Sequence, residues 1–254
     1  MLRKKRLLIT ICTIAVLAAT VIGIYYITHP RKQLEIPDRS PPIIIDHHIT
    51  PSLVIPYLQD GYIILRMSDS VWSSVFRDYS LRDRRFSHVG IVRKRDDNIS
   101  IVHSVGSFRN PNRGVEELPL DRFLRVATSI GVFRVRSADG SVISDAAMKY
   151  IGFPFDFNFD LSDYDTVYCT ELLYRALIPL ELEHILATRH VDSVNQYVIP
   201  LDSISYTPYI EELVFIIRRT RQQTMQEDQL VIHLENPIRT RFFHSLIQFF
   251  RRIR

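Results

Sequence analysis

Apolar residues recur along this chain in two rhythms. Compact apolar-rich runs at residues 62–65, 85–92, 99–104, 129–135 and 213–217 have the length and bulk of buried strands. Between them, at 71–76, 120–126, 141–150 and 169–178, apolar residues return every three or four positions, which predicts helices. Residues 93–98, Arg-Lys-Arg-Asp-Asp-Asn, are charged and end in turn formers, so the runs on either side predict a β-hairpin. The resulting order is strand, helix, hairpin, helix, strand, helix, loop, helix, strand. It predicts an α+β fold with an antiparallel sheet flanked by helices.

The two ends differ from this middle. A basic cluster at residues 1–6 precedes an uncharged, mostly apolar run over 7–27, long enough to cross a bilayer and followed by no clean small-residue cleavage site. Residues 1–28 are therefore expected to be a transmembrane signal anchor. The basic end would stay in the cytoplasm, with the remainder on the periplasmic side of a bacterial inner membrane. Residues 29–57 carry Pro30, Pro37, Pro41, Pro42, Pro51 and Pro56 and read as a semi-rigid linker, which leaves the domain proper to residues 58–220. Residues 221–254 form a basic tail. On a helix, Phe242, Phe243, Leu246, Phe249, Phe250 and Ile253 share one face flanked by arginines, suiting an anionic membrane surface or docking on the chain's own domain or a second subunit.

Charge and composition narrow the chemistry. The net charge of +4 is modest and concentrated at the ends, which favours contact with a membrane surface over nucleic acid. Residues 77–85 mix both signs and are expected to form an exposed turn. His47 and His48 lack a nearby third ligand, no nucleotide or flavin motif is present, and neither metal nor cofactor is expected. Nothing in the chain specifies an oligomeric state. Cys12 falls inside the expected anchor, so Cys169 should be a free thiol.

Cys169 is the candidate nucleophile. Asp163, Asp165 and Thr166 favour a helix start just upstream, placing Cys169 in or beside the first turn, where unpaired N–H groups and the helix dipole favour a thiolate. On that basis Cys169 should still react at about pH 6. His88 and His103 lie on the two strands of the predicted hairpin and can be neighbours, one as base and the other as its orienting group. Tyr168 is a candidate oxyanion donor beside the Cys169 N–H, and Glu171 a candidate substrate contact or helix-start charge. Trp72 is expected in the core or along a groove. The phenylalanines of 153–160 are expected as core plugs, with Asp156 and Asp160 as turn and cap residues.

Residues 60–66 (Asp-Gly-Tyr-Ile-Ile-Leu-Arg), 86–92 (Phe-Ser-His-Val-Gly-Ile-Val), 101–104 (Ile-Val-His-Ser), 114–124, 153–160 and 168–171 (Tyr-Cys-Thr-Glu) occur in that order. Together they resemble the circularly permuted papain-like hydrolases of the NlpC class, in the YaeF/YiiX group of amidases. The histidine precedes the cysteine here, as that permuted arrangement requires. The resemblance implies Cys169 as nucleophile, His88 as general base and acid, and position 103 as the orienting group; relatives place glutamate, histidine or another polar residue there. The expected function is a membrane-anchored cysteine hydrolase, amidase- or peptidase-like, working through an acyl-enzyme. Its substrate would be a cell-wall peptide or an acylated, lipid-like amide or ester. Acyl transfer and a non-catalytic binding or scaffolding module on a degenerate papain-like fold are the alternatives.

Overall fold

The computed structural model describes residues 41–219, apart from 108, 109, 111, 112 and 193 and the side chains of 71 and 72. The first six strands are β1 (Ile43–Asp46), β2 (Ile63–Ser68), β3 (His88–Arg95), β4 (Asn98–Ser104), β5 (Val115–Pro119) and β6 (Ala127–Val135); β2, β3, β4 and β6 arise from the expected apolar runs. A small hairpin of β7 (Arg189–Val191) and β8 (Gln196–Val198) precedes the last strand, β9 (Ile210–Arg218). Seven of these form one sheet in the order β1-β9-β6-β2-β3-β4-β5. Its pairs are antiparallel except β1 with β9, which run parallel.

Helices α1 (Pro51–Val54), α2 (Val71–Arg77), α3 (Leu120–Leu124), α4 (Gly140–Met148), α5 (Cys169–Leu177) and α6 (Asp202–Ser205) complete the α+β layout. α2 starts where the Ser70 side chain accepts the Ser73 N–H, and α4 where Asp139 accepts from Ser141. Val54 of α1 and Leu120, Phe123 and Leu124 of α3 bury Ile64, Val92, Ile101, Ile130, Val132, Val214 and Ile216 of the sheet. α4 and α5 pack on each other and on β3.

Two expectations change, and one strand forms where none was expected. The proline-rich stretch is not all linker, because Ile43, Ile44 and Ile45 pair with β9 and Val54 is fully buried. Pro51 opens α1, where a missing N–H costs little, and the Pro42 carbonyl accepts from Phe215 N–H. Second, β5 forms from an acidic, alternating stretch that ends at Pro119, a composition tolerated on a sheet edge. Third, residues 77–85 are not an exposed turn. Asp83 is 1 % exposed and Arg85 4 %. The Arg85 guanidinium meets both oxygens of Asp83 at 2.9 and 2.7 Å and both of Glu212 at 2.8 Å, between the rings of Phe86 and Phe215. Two bidentate partners let these charges enter the core just ahead of β3.

The anchor expected over residues 1–28 and the tail expected over 221–254 lie outside the described residues. Among the described residues no helix is long and apolar enough to cross a membrane.

Candidate active site

Cys169 is the first residue of α5. The N–H of Tyr168 donates to the Glu171 carboxylate at 3.1 Å, and Arg175 reaches back from the next turn to Glu171 at 3.0 Å. Arg175 also donates to the carbonyls of Asp163, Tyr164 and Thr166, which clamps the approach loop against the helix. Within that loop, Asp163 accepts from the Asp165 N–H and the Thr166 hydroxyl, so these residues hold the turn before the helix rather than capping it. The Ser104 hydroxyl donates to the Val167 carbonyl and ties the end of β4 to the cysteine segment.

A row of polar side chains crosses the sheet towards this point. Arg66 of β2 is the register partner of His88, the first residue of β3, and His103 of β4 is the register partner of Glu116 on β5. Between the pairs, His88 Nε2 and His103 Nδ1 are 2.8 Å apart. Phe123 is the shared platform, its ring 6.0 Å from that of His88, 5.5 Å from that of His103 and 4.2 Å beneath the Arg66 guanidinium.

The row sets the protons. His103 Nε2 faces Glu116 Oε1 at 3.5 Å, long for a hydrogen bond, and this buried nitrogen has no closer acceptor among the described residues. The contact with His103 and the 2.7 Å pairing with Arg113 outweigh partial burial and hold Glu116 near a pKa of about 2. A carboxylate at that distance favours the proton on His103 Nε2, leaving Nδ1 to accept. His88 must then donate from Nε2, which leaves its Nδ1 as a free base. Burial, then the nearby Arg66, His103 and Arg113, push the His88 pKa well below its usual 6.5. Burial also lowers His103.

Burial governs the thiol too. It pushes Cys169 up to about 11, although the N–H groups of Val89, Thr170 and Cys169 and the charge of Arg66 pull the other way. Burial thus favours the uncharged forms of Cys169 and His88, and it opposes the thiolate expected at about pH 6 from the helix terminus. A thiol in this state could attack a carbonyl only by passing its proton to a base, and His88 lines the same cavity; the N–H groups of Val89, Thr170 and Cys169 favour negative charge on the sulfur.

Cys169, His88 and Arg66 line one cavity of about 160 Å³, with Phe76, Phe155 and Phe157 among its apolar walls. The aromatic loop is shaped by Asp156, whose carboxylate accepts from the N–H groups of Asn158 and Asp160 at 2.7 Å. Its phenylalanines serve as both core plugs and pocket wall. Tyr168 and Glu171 are engaged elsewhere. The Tyr168 hydroxyl accepts from Ile199 N–H, while Glu171, 1 % exposed, braces the helix start with its carboxyl pushed up to about 7 by burial. Neither is among the residues that line the cavity, and Glu171 takes the helix-start position expected of it. Arg66, Glu116 and Phe123 are the site residues that sequence reasoning passed over. Arg66 would have followed from pairing His88 with the run that ends at residue 65; Glu116 lies on a strand that was not expected.

A comparison with curated proteins found no match. Among solved structures, YiiX from Escherichia coli O157:H7, described as a metalloprotein, superposes with a TM-score of 0.52 at 20% identity, covering 61% of this chain and 96% of that one. That likeness is one of fold. Among the described residues here, no three His, Cys, Asp or Glu side chains are gathered to hold a metal ion. Residues 57–199 match the model of the permuted papain-like amidase enzymes, YaeF/YiiX, of the C92 family. With over half of its length covered by that match, the chain belongs to the permuted papain-like amidase family of YaeF/YiiX, C92.

Proposed function

We propose that this chain is a cysteine hydrolase that cleaves an amide or ester through an acyl-enzyme on Cys169. The observation that carries the reading is the chain of contacts from Glu116 through His103 to His88, which lines the same cavity as Cys169. The sulfur adds to the substrate carbonyl while His88 Nδ1 takes its proton. His88 returns that proton to the departing amine or alcohol as the carbon–heteroatom bond breaks, leaving a thioester. Water then gives a proton to His88 and adds to the thioester carbonyl, and the sulfur leaves as the thiol regains its proton. Transfer to another acceptor would differ only in that last nucleophile. The phenylalanine wall favours an acylated, lipid-like substrate over a polar cell-wall peptide.

The test is a pre-steady-state burst with a p-nitrophenyl decanoate probe, followed by mass spectrometry of the Cys169 peptide. A decanoyl adduct on Cys169 is expected. The acid limb of its formation should lie below pH 6.5, since His88 is lost as a base only when the pH falls through its depressed pKa. Absence of the adduct in folded protein would turn the reading to a binding module.

The proposal places this domain outside the cytoplasm, tethered by residues 1–28, on the strength of the basic start and the apolar run after it. The full chain should then resist alkaline carbonate extraction. Release into the supernatant would remove the anchor.

A further inference from the structure

We propose that the pocket selects acyl substrates bearing an anionic group, which Arg66 receives beside Cys169; this rests on Cys169 being the nucleophile. Arg66 lines the cavity together with Cys169 and His88. Its guanidinium is fixed in place, stacked 4.2 Å over Phe123 and donating from Nη1 to the Phe123 carbonyl at 2.9 Å. What it lacks is an anion. Arg85, Arg95, Arg113 and Arg175 each pair with a carboxylate, whereas no described carboxylate lies within ion-pair distance of Arg66. Its Nε is buried with no acceptor among the described residues.

A desolvated cation without a counter-ion is costly, and a protein keeps one where an incoming ligand supplies the charge. Burial lowers the Arg66 pKa to about 10, so the guanidinium remains charged at neutral pH. Burial favours the uncharged form of the neighbouring Cys169 thiol. The hydroxyls of Ser68, Ser70 and Ser73 on the same cavity are bonded to one another and bring no charge. A ligand that satisfies both ends of the cavity has an apolar chain for the phenylalanines and a carboxylate or phosphate for Arg66. An N-acyl amino acid and an acidic acyl lipid share that chemistry.

Alkylation of the full chain in a neutral detergent tests this without a known substrate. Iodoacetate and iodoacetamide differ in charge, and ionisation of the thiol enters both rates equally. Their rate ratio at Cys169 therefore isolates the pull on an anion. At pH 7.5 the ratio of iodoacetate to iodoacetamide should exceed that of glutathione by about tenfold. Arg66→Gln should bring it down to the glutathione value, and Arg66→Lys should retain part of the gain. Arg66 also supports Phe123, so a second comparison uses the wild-type chain alone. Dodecanoate and dodecyl phosphate should protect Cys169 from iodoacetamide while dodecanol does not, and the better protector identifies the anion. A wild-type ratio equal to that of glutathione overturns the proposal, as does a ratio unchanged in folded Arg66→Gln or equal protection by dodecanol. If Cys169 reacts with neither reagent, the nucleophile assignment has failed instead.

Discussion

Cys169→Ala is expected to abolish turnover of any substrate the wild-type chain hydrolyses, and His88→Ala to lower it by about 10²–10⁴-fold. The two act as one unit, so the double variant should be no worse than Cys169→Ala. Behind them the effects should fall off in order along the sheet. His103→Ala removes the acceptor that holds His88 Nε2, costing less than loss of the base itself. Glu116→Gln costs less again. It leaves the rings in place but no longer fixes the proton on His103 Nε2, so a share of molecules carries the His88 proton on the wrong nitrogen. Steady-state rates across this series, with folding checked by circular dichroism, decide the matter. Wild-type turnover in Glu116→Gln would show that the tautomer is set by something else, and wild-type turnover in His88→Ala would end the assignment of the base.

Arg85→Ala should cost about 3–5 kcal/mol of stability, a large part of the 5–15 kcal/mol available to a typical domain. The arginine is the shared partner of Asp83 and Glu212, and its removal strands two carboxylates in a region where their side chains are 1 % and 7 % exposed. The deficit should depend on pH. Burial already raises the Glu212 pKa against the pull of Arg85, and without that pull protonation becomes easier still. A carboxyl with a raised folded-state pKa is better tolerated below that value, so the deficit should shrink as the pH is lowered from neutrality. Urea denaturation at two pH values measures both effects. A loss under 1 kcal/mol would mean that the cluster tolerates an unpaired carboxylate.

The cysteine helix and the two-histidine hairpin were legible because each rests on local signals: helical spacing after short polar residues in one case, a charged turn between apolar runs in the other. Glu116 was not, since β5 gains its identity only by pairing with β4, and Val115–Pro119 has weak apolar alternation of its own. The burial that opposes a thiolate at Cys169 was hidden for a related reason. Helix position is local, but the burial that decides the thiol comes from tertiary packing around it. Residues 77–85 show the same limit, because the backbone N–H groups of Leu81 and Arg82 donate to Asp202, and Arg85 pairs with Glu212, each more than 100 positions away. Ile43–Ile45 was hidden among prolines whose places at element boundaries do not show in a count of them.

The position of β9 bears on how the protein is made. It is the last strand of the described sheet, yet it lies between β1 and β6, so the first strand has no partner until the last one leaves the ribosome. During synthesis the β6 edge stays open and Ile43–Ile45 remain unpaired, a state prone to association between chains. The hairpin that carries His88 and His103, by contrast, needs only β2 to β5 and is complete in sequence before Cys169 is translated. Chains released before residue 210 would carry both histidines and the cysteine on a sheet with an exposed edge. Such truncation products should be found in aggregates or with chaperones rather than as free monomers.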